Sequence, residues 1–221
     1  AEALLRIHDK NGNFISPAEA IPILEESGLI IPVGKWIIQN AFSMCTECRK
    51  YYPEFRVSIN LSYVQILKSP LMMELKQIIE HSGISCSGII VELTESGYLE
   101  GTPAVRSVWN DMKQLRIQIA LDDFGTGYSN LMNISNLEPD IVKLDRGFTL
   151  KALSRSYEYQ LMQYVIEMVH KLNQYVCVEG VETKEDLEKI KALGPDLIQG
   201  YYYSKPCSRD EFLKKFFDYS E

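Results

Sequence analysis

Six short apolar runs in this chain end, one after another, in a carboxylate, a carboxamide or a lysine. Arg56-Val57-Ser58-Ile59 leads to Asn60, Ile89-Ile90-Val91 to Glu92, and Ile119-Ala120-Leu121 to Asp122-Asp123. Ile141-Val142 leads to Lys143, Tyr175–Val178 to Glu179, and Leu197-Ile198 to Gln199. Runs so continuous in Val, Ile and Leu suit strands buried on both faces of a parallel sheet. Helical stretches lie between them. Ser16-Pro17-Ala18-Glu19 supplies an N-cap serine, a proline at the first helical position and a glutamate at the third. Ser62 onward, Gly101 to Leu115, Tyr157 to Leu172 and Lys184 to Leu193 follow the same logic, and Gly83 and Gly194 supply stops.

Strand–helix–strand repeated this often predicts an α/β fold with parallel strands. The β-rich runs are Ala3–Ile7, Arg56–Leu61, Gly88–Leu93, Ile117–Leu121, Asp140–Leu144, Tyr175–Val178 and Leu197–Tyr202. A closed barrel of this kind uses about eight strands. The expectation is therefore a TIM-like (β/α) barrel whose usual first strand is missing from this chain. Residues 1–221 would form one domain, excised from a longer multidomain protein. An open doubly wound sheet would call for a glycine-rich nucleotide loop near the start, and Ala1–Phe14 has none.

In a barrel the carboxyl ends of the strands converge on one mouth, where active sites of this architecture lie. A single acid after a strand is usually a helix cap. Six consecutive polar strand ends are another matter, because apolar neighbours make each unpaired anion cost several kcal/mol unless cations neutralise it. The set is oxygen-rich and has no convergent His or Cys, which suits magnesium or manganese rather than zinc. The adjacent Asp122-Asp123 suggests a carboxylate bridging two metals about 3.5–4 Å apart. Lys143 has two readings: a counter-ion for the acids, or a group that touches the phosphate or the attacking water. Asp122-Asp123-Phe124-Gly125-Thr126-Gly127-Tyr128 reads as a loop whose glycines permit positive φ, against the plainer alternative of a tight strand–helix connection.

The rest of the sequence excludes more than it suggests. The formal charge is −7 with no basic cluster, so a long nucleic acid is not an expected partner. No stretch approaches the roughly 20 apolar residues needed to span a bilayer, so this segment is expected to make no membrane contact; its unpaired cysteines read as reduced, cytoplasmic thiols, with a membrane anchor elsewhere in the full-length protein left open. The cysteines Cys45, Cys48, Cys86, Cys177 and Cys207 make no disulfide framework, and the C-x-x-C of Cys45 and Cys48 lies in an apolar-periodic run, as packing residues do. His8, His81 and His170 read as surface or packing residues, and Tyr201-Tyr202-Tyr203 as barrel wall.

Seven segments together resemble the EAL domain, the cyclic di-GMP-specific phosphodiesterases of bacterial signalling. They are Glu2-Ala3-Leu4-Leu5-Arg6, Ser58–Ser62, Val91–Ser96, Leu121–Ser129, Val142–Asp145, Val178–Thr183 and Gln199-Gly200-Tyr201. The resemblance implies metal-dependent hydrolysis of cyclic di-GMP to linear pGpG with Mg²⁺ or Mn²⁺, two ions per site. By motif it implies Glu2, Asn60, Glu92 and Asp122 as ligands of one ion, and Asp122, Asp123 and Glu179 as ligands of the other. Lys143 and Glu179 would orient and deprotonate the attacking water. Arg6, Asn60, Asp123, Lys143 and Gln199 would meet the substrate. Glu95, Gly125, Thr126, Gly127, Tyr128 and Glu182 would control the loop and the homodimer, and a sensor or GGDEF-type domain is an expected neighbour upstream. The chain departs from the pattern at Ile7, Asn130 and Cys177-Val178, and lacks the strand with a Pro-Ile motif that usually precedes Glu2. An inactive EAL-like receptor for cyclic di-GMP is the alternative; such members usually lose metal ligands or the loop motif, whereas this chain keeps both.

Overall fold

The computed structural model describes residues 1–94, 102–126 and 138–217. They fall into two compact units. The first comprises Ala1–Leu93, the stretch up to Gln118 and the segment from Ser208; the second comprises chiefly Ile119–Cys207.

In the first unit three parallel strands lie side by side: β1 (Glu2–Ala3), β4 (Val57–Asn60) and β5 (Ile89–Thr94). Glu2 is opposite Ser58, and Asn60 is opposite Glu92. The expected strand Ala3–Ile7 is instead two elements, because the chain leaves β1 and forms a hairpin of β2 (Ile7–His8) and β3 (Phe14–Ile15). Its turn is closed by Asp9, whose Oδ1 accepts from the amides of Asn11 and Asn13 at 2.8 Å each. Asn11-Gly12, with Gly12 at φ 86°, was a turn signal that the apolar run overshadowed.

Helix α1 (Pro17–Glu26) begins where Ser16 predicts, the serine accepting from Ala18 N. Helix α2 (Ile30–Cys48) follows, and the stretch after Ser62 is two helices, α3 (Tyr63–Lys68) and α4 (Leu71–Ser82), divided at Ser69-Pro70. Pro70 disfavours helical geometry at the residue before it. Ser62 and Gln65 form a capping box on α3, and Gly83 ends α4 with φ 65°. Helix α5 (Pro103–Gln114) is capped by Thr102. Phe42, Ile59, Leu75, Ile89 and Met112 form the fully buried centre, each burial contributing about 1.5–3 kcal/mol. A C-terminal helix, Arg209–Phe217, packs Phe212 and Phe217 around the ring of Phe55.

The second unit has four parallel strands in chain order: β6 (Gln118–Phe124), β7 (Ile141–Leu144), β8 (Tyr175–Val178) and β9 (Leu197–Ile198). Two aspartates fix the starts of neighbouring strands. Asp140 Oδ2 accepts from Ile119 N, and Asp196 Oδ2 from Val176 N, both at 2.8 Å. His170 also binds Asp196, at 2.9 Å, and is exposed, a surface residue. Helix α6 (Arg146–Ser154) was not expected; Asp145 caps it by accepting from the amides of Gly147 and Phe148. Helices α7 (Ser156–Lys171) and α8 (Lys184–Lys191) fall where the sequence places them, α8 with a Thr183–Asp186 capping box. Gly194, at φ 75°, stands just beyond α8, its amide donating to Lys191 O. Met162, Ile166, Val142, Leu144, Val176 and Val178 are almost wholly buried here. No described helix is long and apolar enough to cross a membrane.

Candidate active-site residues

Three of the singled-out residues lie on the first unit's strands: Glu2 opens β1, Asn60 closes β4, and Glu92 lies two residues before the end of β5. Asn60 ends β4 and donates from Nδ2 to Glu2 Oε1 at 2.8 Å. Glu92 lies opposite Asn60 in register and is only 3% exposed, although its backbone oxygen accepts from Leu61 N. Parallel register sets Asn60 level with Glu92, on strands about 4.8 Å apart, whereas Glu2 is level with Ser58 and meets Asn60 through its side chain. Arg6 lies past β1, with an exposed guanidinium 6.0 Å from the centre of the Phe14 ring and donating to Leu5 O at 2.9 Å.

The second unit carries a denser group. Leu121 pairs with Val142 and Phe124 with Leu144, so Asp122 and Asp123 together face the single residue Lys143. This is a β-bulge, which re-aims side chains where it occurs. Asp123 takes φ 60°, a left-handed conformation that Asp tolerates at a cost of about 1–2 kcal/mol. As a result Asp122 points inward, at 8% exposure, while Asp123 faces outward.

Lys143, 3% exposed, is the centre of the group. Its Nζ lies 2.8 Å from Glu179 Oε1 and 3.1 Å from Asp122 Oδ1. The second contact is close enough for an ion pair but not directed as a hydrogen bond, and Asp122 Oδ1 is fully buried with no hydrogen-bond partner. A buried anionic oxygen with an open lone pair is the donor a hard divalent cation takes, and the surrounding Asp and Glu oxygens are of the same type. The donor chemistry thus fits Mg²⁺ or Mn²⁺. Among the described residues, however, no three His, Cys, Asp or Glu side chains stand close enough to enclose an ion. In the second unit the bulge directs Asp122 and Asp123 apart, and Lys143 stands between Asp122 and Glu179.

Gln199 follows β9, its amide donating to Val178 O at 2.9 Å and its carbonyl accepting from Val181 N at 3.2 Å. The chain then turns instead of continuing as a strand to Tyr202, because Gly200 packs flat on the Val181 backbone and leaves no room for a Cβ. Tyr201, Tyr202 and Tyr203 are consequently turn residues, 53%, 39% and 46% exposed, and not barrel wall. Gly125 has φ 104° against the Phe148 ring, and Thr126 is exposed. Glu182 pairs with Arg146 at 2.7 Å. Glu95, Gly127 and Tyr128, with Ser129 and Asn130, lie outside the described residues. Sequence reasoning passed over Arg146 and Phe148; Asp145, an N-cap type immediately after a strand, was the available signal for the helix that carries them.

Cys45 and Cys48 are wholly buried, with burial raising both thiols and pushing Cys48 up to about 11. Both stay protonated near neutrality, which disfavours thiolate chemistry there.

A family profile described as the EAL domain matches residues 1–206. An uncharacterised protein, y4lL, of Sinorhizobium fredii is 36% identical over 212 residues, covering 96% of this chain and 25% of that protein. The cyclic di-GMP phosphodiesterase PdeF of Escherichia coli is 32% identical over 205 residues, covering 93% of this chain and 27% of PdeF. The chain thus spans about a quarter of the length of these relatives. The EAL enzyme Bd1971, solved with cAMP and cyclic di-GMP bound, matches with a TM-score of 0.91 and 30% identity over 97% of this chain and 59% of that one. These likenesses bear out the α/β, TIM-like barrel class expected from the strand–helix alternation. With its profile matched over nearly all its length, the chain belongs to the EAL domain family.

Proposed function

We propose that this domain hydrolyses cyclic di-GMP to linear pGpG, using Mg²⁺ or Mn²⁺. The observation that carries this reading is the buried Lys143 held between Asp122 and Glu179 at 3.1 and 2.8 Å. The two carboxylates offset the desolvation cost of the buried ammonium, and its position suits stabilising charge that grows on a phosphoryl group. Membership of a family that includes PdeF supports the substrate.

In this reading Glu179 takes the proton of the attacking water, and Lys143 orients that water while neutralising the departing charge. One P–O bond forms to the water oxygen, one ester P–O bond breaks, and the leaving oxygen takes a proton from solvent while Glu179 returns its own to solvent. Glu2, Asn60 and Glu92, and Asp122, Asp123 and Glu179, are the oxygen donors for divalent cations. A bound cation supplies Lewis acidity toward a phosphoryl oxygen and makes water more acidic. Arg6, Asn60, Asp123, Lys143 and Gln199 bind the dinucleotide. The domain acts in the cytoplasm as a homodimer within a longer regulator, with Gly125, Thr126, Glu182, Glu95, Gly127 and Tyr128 controlling the loop and the pairing.

The test is a turnover assay with chromatographic identification of product, with Mg²⁺ or Mn²⁺ and with EDTA. Production of pGpG that EDTA, Glu2→Ala and Glu179→Gln each abolish supports the enzyme. Tight cyclic di-GMP binding without product at saturating metal overturns it in favour of a receptor.

A further inference from the structure

The first turn of α6 begins three residues after Lys143 and touches the backbone just beyond both of that lysine's partners. Toward Glu179, the stem of Arg146 lies flat over Gly180, where a Cβ would run into Arg146 Cγ. Gly180 accepts this approach with φ 80°. The Arg146 guanidinium then reaches past Gly180 to Glu182 Oε1, with Nη2 at 2.7 Å and Nε at 3.2 Å. Toward Asp122, Phe148 packs on Gly125, where an added Cβ would stand 2.8 Å from Phe148 Cδ1. Asp145 joins the two halves, accepting from the amides of Gly147 at 2.7 Å and Phe148 at 3.3 Å, while its own amide donates to Phe124 O at 3.0 Å.

We infer that Arg146 is a positioning residue: by clamping Gly180 and Glu182 it sets where the Glu179 carboxylate stands relative to Lys143. This rests on the phosphodiesterase reading for its kinetic consequence, but not for its structural one. The Arg146–Glu182 pair is open to solvent, with side chains 58% and 38% exposed, so its contribution to overall stability is small. Its effect falls on placement, where a shift near 1 Å can cost orders of magnitude in rate. The two hydrogen bonds to one carboxylate oxygen, together with the stem over Gly180, make the clamp specific to arginine; a lysine cannot reproduce the planar fork.

The experiment compares wild type, Arg146→Ala, Glu182→Ala and the exchanged pair Arg146→Glu/Glu182→Arg. Expected is a loss in kcat on the order of tenfold in each single variant, with KM and thermal midpoint close to wild type, and partial recovery in the exchanged pair. Unchanged kcat in both single variants overturns the inference, as does a kcat loss matched by unfolding that the exchange does not relieve. Amide hydrogen exchange supplies a readout independent of turnover. The amides of Glu179 and Val181, bonded to Leu144 O and Gln199 O, should exchange on the order of tenfold faster in Arg146→Ala. If wild type makes no pGpG, the functional reading fails and this exchange decides the clamp alone: faster exchange upholds it, and unchanged exchange removes it.

Discussion

Lys143 reaches the carboxylate of Glu179 at 2.8 Å across the pairing of β7 with β8, where Lys143 itself is opposite Cys177 and Glu179 lies one step beyond the paired residues. Cys177 and Glu179 are two residues apart and face the same side, so Glu179 is the diagonal neighbour of Lys143, a distance their long side chains span.

Removing the lysine leaves two acids in a place that is nearly dry. Lys143→Met should lower stability by about 3–5 kcal/mol, the range for breaking a buried pair by deleting one partner. Urea denaturation measures it. Millimolar Mg²⁺ should raise the variant's midpoint, since a ligand that binds only the folded state stabilises it. A midpoint unchanged from wild type would show that the lysine balances nothing.

The bulge at Asp122-Asp123 trades backbone comfort for side-chain direction. Asp123→Gly should relieve the strain at φ 60° and raise stability by up to about 1 kcal/mol. The same change removes a carboxylate proposed as a metal donor, so turnover of cyclic di-GMP should fall below detection while the thermal midpoint rises. Loss of both together would mean that the carboxylate holds the bulge.

Two glycines separate close approach from positive φ. At Gly200 a Cβ would strike the Val181 backbone, whereas at Gly28, with φ 76°, it would meet open space. Gly28→Ala should cost about 1–2 kcal/mol, the price of a left-handed alanine. Gly200→Ala should cost more, or prevent soluble expression, because backbone cannot move aside as a side chain does. Equal losses in the two denaturation curves would refute the distinction.

The thiols give a pH dependence with a definite sign. Burial lifts Cys48 from 9.0 to about 11 in the folded chain. Between those values the unfolded chain has lost a proton that the folded chain keeps, so stability should fall as pH rises from 9 to 11. Below pH 9.0 both states hold the proton and Cys48 contributes no slope. The slope above it should flatten in Cys48→Ala. At pH 8 a thiol reagent should label exposed Cys207 quickly and Cys45 and Cys48 only on unfolding.

Much of this protein was legible before any coordinates. Period and caps located most of the principal strands and helices: Ser16, Ser62 and Thr183 cap the helices they announce, and Gly83 ends one. These are local effects, decided by hydrogen bonds within a few residues. The polar residues near the strand ends were equally visible, because the apolar run stops there, although β5, β6 and β7 continue one or two residues past Glu92, Asp122 and Lys143. What the sequence could not yield is direction and partnership. That Asp122 faces in and Asp123 out depends on the register of β6 against β7. That Lys143 joins Asp122 to Glu179, and Arg146 joins Glu182 over Gly180, depends on strands and turns brought together across tens of residues. Such contacts arise only when parallel strands pack at a fixed register, so the strand-end acids were determined by sequence and their pairing by the tertiary fold.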